Sequence, residues 1–509
     1  MLNIDVLLHE GLKIPADRIG LETSGGLIEK VEFVKDEDTG GRTNDFYRVT
    51  GVIHPKDPEG FDITFQAGFP LKWNRRLLQF GGGGLDGFVS PVEYLCLGTS
   101  FGAPSSLSKG YVVFSSDSGH KAPEDNYWDC RWGLNDEALE NYAHAALKKL
   151  KDAMVYLVEH CYKSSPELVY FAGGSNGGRE CMKAIQLYPE DYDGAICLYP
   201  ALYFISKVLM DHRNANFLEV LGEDAWISAE KQNELSKILL NHCDALDGVN
   251  DGLISNLSAA TVKKEEILEA FQRVLNPKQL KLVGKFMEPL SLSFPLGYGE
   301  VTLPGYALLE GAPLIDKHTN LIGSSASARD GAAAVGADNI ISSLIMRDAD
   351  YDLRNFEPSQ HQEKLQQASK LLDAYEPNLD GFRKRGGKLI LLHGTTDSLI
   401  SVHGTIQYYN ELVNVYGKDK VDNFLKFYVV PGYGHGMGEM FLMDVDLVKA
   451  LDDWVTFDTE PKDLVATDQN DMINFRTRPL YEFPNYPAYS GDGNPNEAKS
   501  FIPKSINNF

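Results

Sequence analysis

The chain has 509 residues, of which 43% are hydrophobic and 24% charged, and its formal net charge is −24. That apolar content suffices for a sizeable core, and the acidic balance predicts a soluble protein with neither nucleic acid nor an anionic membrane as partner. No run of about 18 apolar residues reads as a membrane span.

The opening stretch MLNIDVLLHEGLKIPADRIG lacks a basic segment followed by an apolar core, so no secretory leader is expected. The cysteines at 96, 130, 161, 181, 197 and 243 contain no C-x-x-C pair, which leaves free thiols as the default. Together these features predict a cytoplasmic protein. Nothing in the sequence specifies an oligomeric state.

Residues 28–70 alternate apolar and polar in IEKVEFV, FYRVTGVIHP and FDITFQAGFP, the pattern of antiparallel strands. RLLQF then runs into the glycine loop GGGGLDG, and GYVVFSSDSGH reads as another buried strand. A long amphipathic helix is predicted over 136–162, with Ala143, Leu147, Leu150, Met154 and Leu157 on one face. Strand LVYFAG, a helix to about Leu187 and strand GAICLYP follow. This alternation predicts a parallel sheet covered on both faces.

The rhythm then stops. Helical segments SAEKQNELSKILLNH, KEEILEAFQRVL and PKQLKLVGKFM precede Gly/Ser/Ala-rich loops at 322–336. At 385 the sheet resumes with KLILLHG, a helix HGTIQYYNELVNVYG, strand FLKFYVVPG and helix DVDLVKALDDWV, before a loop-rich tail beyond Asp458. The organisation is an α/β catalytic domain at 1–200 and 385–509, interrupted by an insertion at 201–384 that could cap a site.

Gly173-Gly174-Ser175-Asn176-Gly177 fits G-x-S-x-G, the turn that exposes a serine oxygen between a strand and a helix. A serine hydroxyl becomes a nucleophile only beside a base, and the base needs a carboxylate to hold its tautomer. Asp397 follows strand KLILLHG and His435 follows strand FLKFYVVPG, in the order Ser, Asp, His expected of such sites. Each has a plainer reading: Ser175 in a Gly-rich turn, Asp397 as a cap, His435 as a loop histidine. His393 and His403 compete as bases, but the first lies within a strand end and the second begins a helix.

The residue after the serine, Asn176, opens a helix and offers an N–H to a developing oxyanion. FGGGGLDG suits a second donor, although a phosphate cradle or a flexible turn would use the same glycines. It does not match G-x-x-x-x-G-K-[ST]. In CDALDGVNDGLIS, Asp244, Asp247 and Asp251 are hard oxygen ligands at close spacing, suited to Ca²⁺ or to an Asp-rich turn. Arg347 in IMRDAD could meet a substrate carboxylate, with core or surface roles competing.

The motifs WNRRLLQFGGGGLDG, GGSNGGRECM, YPEDYDGAI, CDALDGVNDGLIS, RDADYDLRNF, FRKRGGKLILLHGTTDSLIS, VVPGYGHGMG and FRTRPLYEFPNYPAYSGDG resemble, in order, those of the tannase/feruloyl esterase family, which includes terephthalate-monoester hydrolases. The resemblance implies an α/β-hydrolase fold with a large inserted lid domain. It implies a serine carboxylic-ester hydrolase with Ser175 as nucleophile, Asp397 as acid and His435 as base, and oxyanion donors at Gly84 and Asn176. A structural Ca²⁺ held by Asp244, Asp247, Asp251 and the carbonyls of Val249 and Leu253 is also implied, with no organic cofactor. The implied substrate is a small-molecule ester of a phenolic or aromatic acid. Alternatives are another acyl specificity, as in a peptidase or thioesterase, or a non-catalytic binding protein on the same scaffold. The family's disulfide positions are here Gly174 and Gly436, its tail cysteine is Tyr481, and no cysteine follows shortly after Cys243.

Overall fold

The computed structural model describes residues 11–94, 103–123, 126–470 and 475–506. The first eight strands are β1 (Lys13–Ile14), β2 (Gly26–Val34), β3 (Phe46–Ile53), β4 (Ile63–Pro70), β5 (Arg76–Phe80), β6 (Val112–Ser116), β7 (Leu168–Gly174) and β8 (Gly194–Leu198). Two-residue strands β9 (Leu290–Ser291) and β10 (Thr302–Leu303) pair with each other in the insertion. β11 (Lys388–Gly394) and β12 (Leu425–Val430) return to the main sheet. Among the described residues ten strands form that sheet, in the order β1-β2-β3-β4-β6-β5-β7-β8-β11-β12.

The alternating N-terminal strands pair antiparallel, as do β4 and β6, whereas every pair from β6 through β12 is parallel. The parallel strands are continuous apolar runs because both their faces are covered. One face packs under the helices Ala146–Tyr162 and Asn176–Leu187 and under the insertion. The other packs under Leu447–Phe457, where Trp454 is wholly buried. β11 pairs directly with β8 from Lys388↔Gly194 to Leu392↔Leu198, so the long insertion leaves and re-enters the sheet without breaking it.

The insertion is helical where its sequence carries helix signals. Ser228 caps Ala229–Cys243 by accepting from the Lys231 N–H, and Asn276 with Gln279 forms a reciprocal cap on Pro277–Met287. Helix Phe204–Leu221 was not anticipated: it is buried on several faces and carries no amphipathic stripe. The 322–336 loop also ends earlier than expected. Helix Ala332–Asn339 begins in the alanine run, and Gly336 lies within it because a Cβ there would stand 3.1 Å from the Trp128 ring.

The 136–162 helix is interrupted. Asp136–Glu140 and Ala146–Tyr162 are α-helical, and Asn141–Ala145 between them is a π-turn. The wider turn turns carbonyls out of the helical ladder; those of Tyr142 and Ala143 accept from the Arg179 guanidinium at 2.9 and 3.0 Å.

The tail is more ordered than loop-rich. It adds β13 (Met443–Asp444), β14 (Leu464–Asp468) and β15 (Thr477–Leu480) as one small sheet, and a hairpin of β16 (Asn485–Tyr489) and β17 (Phe501–Ser505). These strands are two to five residues long and broken by Pro, Gly and Asn, too short to show a period of two. The Tyr481 hydroxyl donates to the Phe501 carbonyl at 2.9 Å, joining the two parts of the tail. The five described cysteines, Cys130, Cys161, Cys181, Cys197 and Cys243, are free and buried; Cys96 lies outside the described residues.

Candidate active site

Three loops leave the same edge of the sheet. Gly174 on β7 is level with Leu198 on β8, and Gly394 on β11 is level with Val430 on β12. Ser175 follows β7 at once, while Asp397 and His435 follow β11 and β12 by a few residues. Parallel register alone therefore places the three loops side by side.

Ser175 has φ 61° and ψ −123°, a conformation that costs an L-residue about 1–3 kcal/mol unless its surroundings enforce it. Here they do. Its N–H donates to the Leu198 carbonyl at 3.0 Å, and its carbonyl accepts from the N–H groups of Arg179 (3.0 Å) and Ala201 (3.1 Å). The turn requires its glycines: a Cβ at 173 would stand 2.1 Å from the Gly177 carbonyl oxygen, and one at 177 would stand 2.5 Å from the Gly82 carbonyl oxygen.

His435 Nε2 lies 2.7 Å from Ser175 Oγ, and its Nδ1 lies 2.8 Å from Asp397 Oδ2. Asp397 is wholly buried, and its Oδ1 accepts from the Leu399 and Ile400 N–H groups at 2.9 and 2.8 Å. Burial alone would raise this carboxyl, but His435 and His393 hold it below the usual carboxylate range. Both ring nitrogens of His393 are engaged with groups other than Ser175. Its Nδ1 meets the Thr405 hydroxyl at 2.8 Å and its Nε2 meets the Ile400 carbonyl at 3.0 Å, so it braces the Asp397 loop from below. His403 is turned to Glu310 of the insertion at 3.3 Å. Arg347 is engaged with the Gly133 and Leu134 carbonyls and with Asp136, and so ties the insertion to the 131–136 segment.

Asn176 is the first residue of helix Asn176–Leu187, where backbone N–H groups lack partners within the helix. The Tyr142 hydroxyl lies 3.2 Å from Asn176 Oδ1 and 3.4 Å from the Gly84 carbonyl oxygen, linking the glycine loop to the start of that helix. Gly84 has φ 56°, and a Cβ there would stand 1.6 Å from the Tyr127 hydroxyl, which donates to the Gly83 carbonyl at 3.0 Å.

One residue at the site was missed. Tyr199 has φ 33° and its ring centroid lies 4.9 Å from that of His435. Its hydroxyl fills the space between Gly174 and Gly436: a Cβ at either would stand 2.6 or 2.7 Å from it. Two bare glycines in the motifs were the available signal, since each marks a close neighbour, but nothing local names that neighbour. Gly174→Ala is expected to lower kcat about tenfold or more by displacing the serine turn or Tyr199. The Tyr199 ring carbons Cε2 and Cζ would also stand 2.7 Å from the new methyl group, so adding Tyr199→Ala should recover part of the loss, and kcat of the two single variants and the double checks this.

Beside the acid and histidine loops, next to Thr396 and Gly434, opens a cavity of about 530 Å³ whose further lining includes Gln232, Asn233, Ile315, Lys317 and Met437. The insertion also seats on the acid loop itself: the Ser401 hydroxyl donates to the Gly305 carbonyl at 2.8 Å, and the Ser398 hydroxyl to Asp316 at 2.9 Å.

The acidic loop lies against the tail at Gly248 and against the histidine loop at Leu253. Asp244 accepts from the N–H groups of Asp251 and Gly252 at 3.1 and 3.0 Å, and Asp251 pairs with Arg478. Val249 and Leu253 turn their N–H groups onto Asp247 (3.2 Å) and Asp251 (3.0 Å). Asp247 Oδ2 is buried without a hydrogen-bond partner, and burial pushes this carboxyl up to about 7. Three carboxylates against one guanidinium leave uncompensated negative charge that suits a cation. The side chains alone do not form a cage: among the described residues no three Asp, Glu, His or Cys side chains converge as metal ligands, and Asp251 is paired with Arg478. The fit is thus partial, centred on Asp247.

A mixed sheet whose parallel half carries a serine at a strained strand-to-helix turn, with an imidazole and a carboxylate aligned on it, defines an α/β-hydrolase. The family described as Tannase and feruloyl esterase matches residues 47–503. An uncharacterized esterase of Agrobacterium fabrum is 33% identical over 96% of this chain and 91% of its own. A protein named "Probable feruloyl esterase" from Arthroderma benhamiae is 28% identical over 85% of this chain and 80% of its own. The crystal structure of an esterase from Aspergillus oryzae superposes with a TM-score of 0.77 at 21% identity, covering 96% of this chain and 98% of that one. The chain belongs to the tannase and feruloyl esterase family and is an esterase of that family.

Proposed function

We propose that this esterase hydrolyses esters of phenolic or aromatic acids through an acyl-enzyme on Ser175. The observation that carries the reading is the unbroken line from Asp397 through His435 to the Ser175 hydroxyl, at 2.8 and 2.7 Å. His435 takes the hydroxyl proton as the oxygen attacks the ester carbon, and Asp397 keeps the imidazole in the tautomer whose Nε2 is free to accept it. The carbonyl oxygen becomes an oxyanion, which the N–H groups of Gly84 and Asn176 receive. When the intermediate collapses, His435 returns the proton to the departing alcohol. Water then enters and loses a proton to His435 as its oxygen bonds to the acyl carbon; the bond from that carbon to Ser175 Oγ breaks, His435 returns the proton to Ser175, and the acid leaves. The insertion acts as a lid; the 530 Å³ cavity between it and the histidine loop has the size of a small-molecule site, though Ser175, Asp397 and His435 themselves do not line it.

The choice of acid rests on the family and on the relative named as a feruloyl esterase. Galloyl, feruloyl and terephthaloyl esters, assayed against alkyl esters, peptides and thioesters of similar leaving-group reactivity, test it. At least about a tenfold preference in kcat/KM for one aromatic acid is expected, as a well-fitted ring supplies about 1–3 kcal/mol. Equal turnover of alkyl esters would withdraw the aromatic assignment, and faster peptide or thioester cleavage would move the enzyme to another acyl class.

We further propose a structural calcium ion at the acidic loop, with Asp244, Asp247, Asp251 and the carbonyls of Val249 and Leu253 as ligands. The unpartnered Asp247 oxygen supports it. Chelation should lower Tm by about 1–2 °C, the effect of roughly 1–2 kcal/mol in a chain of this size, and leave the kcat of the folded enzyme unchanged. An unaltered melting curve, with no calcium by elemental analysis, would dismiss the ion.

A further inference from the structure

Directly behind the proposed oxyanion donors lies a set of buried charges that the reaction does not use. Arg179, Glu180, Asn176 and Asp86 are each no more than 2% exposed. Among the described residues, no carboxylate pairs with the Arg179 guanidinium at contact distance. Its Nε donates to Asn176 Oδ1 at 2.7 Å, and its other hydrogen bonds go to the Tyr142, Ala143 and Leu372 carbonyls at 2.9, 3.0 and 3.3 Å. It stacks over the Tyr142 ring at 4.7 Å. The other end of the same amide, Asn176 Nδ2, donates to Asp86 Oδ1 at 2.7 Å. One side-chain amide therefore bridges a buried cation and a buried anion.

Asp86 Oδ2 accepts from the Ser118 hydroxyl, so both oxygens of Asp86 act as acceptors. Glu180 Oε2 accepts the Gly82 N–H at 3.0 Å, while its Oε1 has only longer contacts, to Ser118 Oγ at 3.2 Å and Asn176 Nδ2 at 3.4 Å. The carboxyls press on the glycine loop itself: a Cβ at Gly81 would stand 2.7 Å from Glu180 Oε2, and one at Gly82 would stand 2.7 Å from Asp86 Oδ2. Two buried carboxyls and one buried guanidinium balance only if one carboxyl keeps its proton. Asp86, held by two donors, is the anion, and Glu180 is the acid that donates to it. Burial raises both carboxyls, but Asp86 adds to the rise at Glu180, whereas hydrogen bonds from Glu180, Ser118 and Asn176 and the charge of Arg179 act to lower Asp86. The nearby buried acids Asp117 and Asp373 have hydrogen bonds of their own, from the Thr64 and Gly119 N–H groups and from the Ile205 N–H and Ser369 hydroxyl.

We infer that Arg179, Asp86 and a neutral Glu180 are positioning residues that lock the glycine loop to the start of the Ser175 helix through the Asn176 side chain, and so set the oxyanion donors. The inference rests on the proposed roles of Gly84 and Asn176. The charge pair polarises the amide from both ends and fixes which way it points. Glu180, through Gly82, and Asp86, from within the loop, hold the loop at the distance that amide dictates.

The test measures kcat, KM and Tm of the full chain on a 4-nitrophenyl ester, for Asp86→Asn, Glu180→Ala, Glu180→Gln and Ser118→Ala. Asp86→Asn removes the anion that faces Arg179 across the Asn176 amide and leaves a weaker acceptor in its place, and should lower kcat about 10²-fold with KM nearly unchanged, as when an oxyanion donor is lost. Glu180→Ala should lower kcat about tenfold or more, and Glu180→Gln should restore most of it, since an amide offers one donor to Asp86 and one acceptor to Gly82 as the neutral acid does. If Asp86→Asn does not fold, Ser118→Ala takes its place, with kcat reduced about tenfold for one lost hydrogen bond. Wild-type kcat in Asp86→Asn, or in Ser118→Ala if it stands in, overturns the inference, as does Glu180→Gln impaired as deeply as Glu180→Ala. Covalent labelling of Ser175 by an aryl phosphonate separates this from the parent reading. Labelled wild type with an active Asp86→Asn removes only the positioning role, whereas an unlabelled wild type removes the acyl-enzyme.

Discussion

Ser175→Ala is expected to lower kcat by about 10⁴- to 10⁶-fold, the range seen when a triad nucleophile is removed. Alanine keeps the Cβ, so the backbone at φ 61° is neither relieved nor further strained, and the hydrogen bonds to Leu198, Arg179 and Ala201 involve only main-chain atoms. The fold should therefore be unchanged by circular dichroism and melting. Ser175→Gly should be equally inactive and somewhat more stable, because glycine adopts that conformation without penalty. Either variant retaining kcat within about tenfold of wild type would take Ser175 out of the chemistry.

Asp397→Asn is expected to cost about 10⁴-fold in kcat, with KM little changed. The direction follows from how the carboxylate is held. Oδ1 accepts two backbone N–H groups, from Leu399 and Ile400, and only an oxygen can do that. The asparagine amide must then place its NH₂ where Oδ2 stood, facing His435 Nδ1. His435 would accept there and carry its proton on Nε2, opposite Ser175 Oγ, in the tautomer that cannot receive the serine proton. A kcat within about tenfold of wild type, under conditions where Ser175→Ala is inactive, would show that Asp397 does not set the tautomer. The low-lying acidity of Asp397 adds a pH consequence. Its folded-state value is depressed, so the stability it contributes is present above the ordinary carboxylate range and is lost only as pH falls well below it. Between pH 5 and 8 this carboxylate should not titrate.

The parts of the fold legible in the sequence were those with a strong local period. β7 and β11 carry apolar runs and end in glycine, and the helices Ala229–Cys243 and Pro277–Met287 announce themselves by caps and spacing. Helix Phe204–Leu221 had no such period because it is surrounded by protein. The π-turn at Asn141–Ala145 was invisible for another reason: the group that makes it favourable, the Arg179 guanidinium, comes from a different helix. The tail strands pair across long stretches of Pro and Gly and carry almost no signal of their own.

At the site, the sequence by itself determined which side chains could perform the chemistry and in what order along the chain. Those are properties of residue type and of a steric turn that only Gly173, Gly177 and their neighbours allow. Asp86 and Glu180 stood inside the same motifs, yet only the tertiary structure made them a pair facing Arg179 across one amide. It likewise brought His435, already the first candidate by its loop position, to 2.7 Å from Ser175 Oγ while His393 and His403 meet other groups, and it put the Tyr199 hydroxyl between Gly174 and Gly436. The physical reason is common to all of these. Local sequence sets the backbone's turns and periods, whereas hydrogen bonding and charge balance among buried groups depend on distances between residues far apart along the chain, and those are fixed only when the sheet brings its strand ends together.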